Sequence, residues 1–234
     1  MSVNDELIVR GFWGPRQESP EVIADKLVAF IARLDGVLGE SVAWTSHRMP
    51  GESLADPTVA RQVVTAAFEE NTDAPHVGIS QSYDGKATNV ESLSLGMVVG
   101  AHSDVKNVKN SIVFKLRGAE SERFGVDVLR AIVAEWDPDW GDVTTMPFMK
   151  ELAGVQPRGK PVPKMGLVTY LSEGRAQALP GGLEKHLQKL DNGGVLIGSG
   201  ENDGFLTVAK ATEFAKVLKL SAAFAETPTT RSKL

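Results

Sequence analysis

Two hydrophobic periods divide the chain. Alternating or continuous apolar runs mark strands, and apolar residues at three- and four-residue steps mark helices. ELIVRGFW, residues 6–13, reads as a strand. Ser19-Pro20 then supplies a cap residue followed by proline at the first helical position. Val22, Ile23, Leu27, Phe30, Ile31 and Leu34 recur at helical spacing and predict an amphipathic helix to about residue 35, with Gly36 as its stop. SVAWTS, residues 41–46, reads as a short strand. Asp56-Pro57 repeats the cap-plus-proline start, and Val59, Val63, Val64, Ala67 and Phe68 give a second helix its apolar face as far as Asn71.

The middle of the chain is richer in strands. HVGISQS, ESLSLGMVVGA and NSIVFKLRG are short β-branched or alternating runs, separated by Tyr83-Asp84-Gly85 and by the polar stretch SDVKNVKN. They read as an antiparallel meander. Ser121 opens a third helix with Phe124, Val128, Leu129, Ile132, Val133 and Trp136 on one face. Residues 154–165, GVQPRGKPVPKM, hold three prolines and two glycines and mark a loop, or a joint between two subdomains. Beyond them come a strand (GLVTYLS), a segment of weak pattern (LPGGLEKHLQKL), a strand (GGVLIGS), a last helix over 207–224 and a polar tail, residues 225–234, expected to fray. Strands and helices in blocks, without strict alternation, predict an α+β fold with a mainly antiparallel sheet and about four packed helices. The piece after residue 165 looks short of core, which favours one domain over residues 1–234.

Composition narrows the function classes. The 234 residues contain no cysteine, which removes disulfides, thiol nucleophiles and cysteine-based metal sites. A net charge of -5 argues against nonspecific nucleic-acid binding, which needs clustered Lys and Arg, and suits a basic protein partner. No stretch approaches the ~18 apolar residues of a membrane span, and MSVNDELIVRGFW lacks the basic-then-apolar pattern of a signal peptide. A cytoplasmic protein is expected.

Motifs for catalysis are weak. His47, His76, His102 and His186 are far apart, and none has a second histidine at the i+4 spacing with which a helix grips zinc. GSGENDG, residues 198–204, has the strand-to-helix context of a dinucleotide loop, but its third glycine is misplaced and Glu201 and Asp203 would repel a pyrophosphate. SDVK at 103–106 has the Ser-x-x-Lys spacing without companion motifs. No cofactor or metal is implied. EWDPDWGD, residues 135–142, invites a calcium reading through Asp137, Asp139 and Asp142. Counted from Asp137, however, the sixth position is Asp142 rather than glycine and the twelfth is Phe148 rather than glutamate. Two readings of this stretch stay open. In one, Trp136 closes the third helix, Asp137-Pro138 ends it and Trp140 packs beneath the following turn. In the other, Glu135, Asp137, Asp139 and Asp142 form an acidic surface patch with Trp136 and Trp140 as interface anchors.

FWGPRQESPE after the first strand, the helix ending WDPDWGDV, the MGLVTYLS strand and the GGVLIGS strand resemble, in that order, the immunity protein 52 family. The likeness runs from about residue 7 to about 220 and rests chiefly on FWGPR and WDPDWG. It is weaker near the end, where the family pattern is more acidic and carries an Asp-Pro pair while this chain reads ENDGFLTVAK. The resemblance implies a cytoplasmic immunity protein that is not an enzyme and that binds a cognate secreted toxin effector domain, usually a nuclease of restriction-endonuclease fold. It places Trp13, Arg16, Trp136, Asp137, Asp139 and Trp140 at the motif positions, with Glu135 and Asp142 beside them. From the residues alone, an enzyme using Asp, Glu or His as acid and base, or an adaptor with some other partner, are the alternatives.

Overall fold

A computed structural model of the protein describes residues 6–105, 108–118, 121–157, 160–198 and 204–234. Nine strands form one antiparallel sheet: β1 (Leu7–Trp13), β2 (Ala43–Thr45), β3 (Ile79–Lys86), β4 (Ser92–Val99), β5 (Asn110–Arg117), β6 (Trp140–Thr145), β7 (Val168–Leu171), β8 (Leu187–Lys189) and β9 (Val195–Ile197). Their order is β2-β3-β4-β5-β1-β6-β7-β9-β8, so the first strand lies at the centre and both edge strands are only three residues long. The helices are α1 (Pro20–Leu38), α2 (Pro57–Glu69), α3 (Ser121–Trp136), α4 (Met146–Leu152), α5 (Glu173–Gln177) and α6 (Val208–Leu218). The fold is α+β. Strands on both sides of the proline-rich stretch at 154–165 belong to the same sheet.

The helix starts follow the sequence closely. Ser19, Asp56 and Thr207 cap α1, α2 and α6, each side chain accepting a hydrogen bond from a backbone N–H of the first turn. α1 runs past Gly36 to Leu38 and stops at Gly39, whose left-handed φ of 72° closes the C-terminus through its N–H to the Asp35 carbonyl. Its seven buried residues, Ile23 to Leu38, form the expected apolar stripe. α1, α2 and α3 cover one face of the sheet. The apolar alternation of β4 and β5 points Leu93, Leu95, Met97, Ile112, Phe114 and Leu116 at them.

Four expectations need correction. Tyr83-Asp84-Gly85 is no turn; it lies inside β3 and pairs with β2 and β4. Trp140 opens β6, a central strand buried along its whole length, instead of packing beneath a turn. The weak segment before β9 contributes the edge strand β8. The tail does not fray: Ser232 accepts from Gly14 N–H, Thr227 N–H donates to the Pro161 carbonyl, and Leu234 N–H donates to Asp139. Of the weak motifs, GSGENDG falls almost wholly outside the described residues, as does Lys106 of SDVK.

Candidate functional site

FWGPR and WDPDWGD meet in space. Strand alternation sends Trp13 to the helix side of the sheet and Phe12 to the opposite side. On the helix side Trp13 and Trp136 stack with centroids 6.2 Å apart, and Phe30 of α1 meets Trp136 edge-on. Arg16 lies over the Trp13 ring, 4.8 Å from its centroid, and its Nη2 donates to the Trp136 carbonyl at 2.7 Å. A cation on the last turn of α3 satisfies an orphan carbonyl at the negative end of the helix. Burial pulls the Arg16 pKa down from its ordinary value, while Glu18 and then Asp137 pull it back up. Glu18 also binds Lys26 of α1. Within this cluster, Trp13 Nε1, Trp136 Nε1, Arg16 Nε and Glu18 Oε2 are buried without a hydrogen-bond partner.

On the opposite face Phe12 stacks on Trp140, with centroids 4.4 Å apart. The register that places Phe12 opposite Trp140 also places Arg10 opposite Asp142, and the guanidinium grips that carboxylate with two bonds of 2.8 and 2.6 Å. Burial lowers the Arg10 pKa, but the charge and hydrogen bonds of Asp142 outweigh it and the net shift is upward. Asp139 is fully buried and paired with Arg175, which is fully buried too. Ser172 Oγ and Leu234 N–H also donate to Asp139, and Arg175 donates further to the Ala223 and Ala225 carbonyls. Asp137 turns the chain out of α3 with a φ of 45°, a left-handed conformation that costs a non-glycine residue about 1 kcal/mol. Its carboxylate receives Lys233 at 2.7 Å.

The structure therefore brings all eight candidate residues to one corner, most of them facing inward. Trp13, Trp136, Trp140, Asp139 and Asp142 are buried. Glu135, which binds Arg33, and Arg16 are half-buried, and the Asp137 side chain keeps 47% of its exposure. The acidic patch is thus divided: Asp139 and Asp142 are bound to interior arginines, and Asp137 with the edge of Glu135 faces solvent. Chemically the corner is a brace joining β1, α3, β6, α5 and the tail. Among the described residues, no group of three or more His, Asp or Glu could hold a metal ion. Sequence reasoning missed Arg10, Arg175 and the tail. An arginine inside the apolar run LIVRGFW was the available signal for the first; Arg175 had none.

No family model matches the chain, and no curated protein matches it. Among solved structures its fold is similar to that of a T6SS protein of Pseudomonas aeruginosa, with a TM-score of 0.50 and 14% identity over 90% of this chain and 72% of that one. Among the described residues, no helix is long and apolar enough to cross a membrane.

Proposed function

We propose that this protein is a cytoplasmic immunity protein, not an enzyme, that binds a cognate secreted toxin domain and neutralises it by occlusion. The observation that carries the reading is the union of the two motifs of the immunity protein 52 resemblance. Separated by 120 residues in the Arg16–Trp136 bond, they form the two halves of one brace. A motif pair that holds a fold together is what a family whose binding surfaces differ from member to member would share. The fold likeness to a T6SS protein supports a place beside a secretion-delivered effector. By the same resemblance the toxin is a nuclease of restriction-endonuclease fold. A chain of net charge -5 would draw the basic groups of such a site and speed association. Of the motif residues, Asp137, Glu135 and Arg16 are the ones a partner can reach. The test is co-expression with the toxin domain encoded beside this gene. Growth restored in its presence, and lost when this chain is omitted, is the expected result; continued killing with both proteins soluble would exclude the pairing.

A further inference from the structure

The sheet face opposite α1–α3 carries positive charge that the brace does not explain. Two adjoining clefts there, of about 210 and 190 Å³, share Arg10 and Lys164 as lining residues. The first is completed by Lys109, Lys160 and the stacked Phe12 and Trp140; the second is walled chiefly by Met149, Leu152 and Met165. Among the described residues, no carboxylate lines either cleft. This is a local reversal in a chain with 30 acidic and 25 basic side chains.

The cations differ in how far they are already engaged. Arg10 is held from beneath by Asp142, the Lys109 ammonium donates to the Thr227 and Pro228 carbonyls, and Lys160 stands 3.9 Å from Glu226 at the outer rim. Lys164 is half-buried beside Arg10 and, among the described residues, its ammonium makes no hydrogen bond or ion pair within 4 Å. Its pKa is pulled below the ordinary value, by burial first and by Arg10 second, with Asp142 opposing. Two like charges in a partly dehydrated cleft repel one another, and an anion entering between them relieves both the repulsion and the lost hydration. The neighbouring aromatic stack offers a flat apolar wall beside that charge.

We propose that this cleft binds a small organic anion, with a carboxylate or phosphate group against Lys164 and the outer edge of Arg10 and an apolar part against Phe12 and Trp140. The proposal does not rest on toxin binding, and its failure would leave that reading intact. The test is titration of the ¹⁵N-labelled protein with phenyl phosphate, phenylacetate and inorganic phosphate, following the Trp140 indole N–H, which lines the cleft and donates to Thr227. A saturable shift is expected with one or both phenyl anions, weaker with inorganic phosphate, and the tighter of the two names the head group. Lys164→Met should weaken binding by roughly tenfold or more, and Lys164→Arg should retain it, with Tm unchanged in both. Absence of a saturable shift at millimolar anion, or equal affinity in wild type and Lys164→Met, would overturn the assignment.

Discussion

Arg10, Arg175 and the two tyrosines show what burial demands of single residues. An ionised side chain taken out of water must find its counter-charge and its hydrogen bonds inside the protein. Arg10 does so with Asp142 across a strand pair, and Arg175 with Asp139 and two backbone carbonyls. The arginine in LIVRGFW was visible in the sequence as a break in an apolar run. Its partner was not, because the choice of Asp142 depends on the register between two strands 132 residues apart. Tyr83 and Tyr170, the only tyrosines of the chain, are both buried. Burial pushes both phenols well above their ordinary 10, the Asn192 hydrogen bond opposing it only in part for Tyr170. The folded state therefore holds them neutral while the unfolded chain ionises near pH 10, so their contribution is complete below that pH and is lost as pH rises beyond it. In an alkaline titration, tyrosinate absorbance should appear together with loss of the circular-dichroism signal, in one cooperative step. Gradual ionisation near pH 10 in a protein that stays folded would contradict their environment.

At the level of elements, the four long helices and most of the meander were legible because their periodicity is local, whereas the short α4 and α5 carry too few residues to show a period. β6 was not legible either. WGDVTT begins with turn-forming residues and carries Asp142, Thr144 and Thr145, yet all of it is buried: Asp142 is answered by Arg10, remote in sequence, while the Thr144 hydroxyl donates to the Thr145 carbonyl and that of Thr145 accepts from the Phe148 N–H. The tail was misjudged for a related reason: its composition is polar, but the backbone of 227–232 supplies acceptors to Lys109 and Gly14. Gly14 is where this strap depends on the absence of a side chain. A Cβ there would come within 2.3 Å of the Arg231 carbonyl oxygen and 2.6 Å of that of Pro228. Gly14→Ala should therefore cost about 1–3 kcal/mol in denaturant unfolding and expose the amides of 227–234 to hydrogen exchange. Gly154→Ala, where a Cβ meets nothing within 4 Å, should change neither. Equal behaviour of the two variants would remove the tail from the brace.

Across the whole molecule, one nine-stranded sheet divides the labour. The helix-covered face holds most of the apolar core, and the corner where β1, α3 and β6 meet is fastened by the residues that looked most functional in the sequence. This sharpens how a toxin contact is to be probed. Asp139 cannot serve, because reversing a fully buried charge would unfold the protein, whereas Asp137 is half-exposed and can be changed on the surface. The central claim is that this chain forms a stoichiometric complex with a toxin domain through its exterior while the motif corner keeps the fold. Its most direct test is the association of the purified protein with a candidate toxin domain from a neighbouring gene, measured by light scattering and binding kinetics. The account predicts a one-to-one complex, with Asp137→Asn, which keeps the left-handed turn and removes the charge, associating severalfold more slowly at low salt while the protein stays folded. No complex at micromolar concentrations of two folded proteins would contradict it.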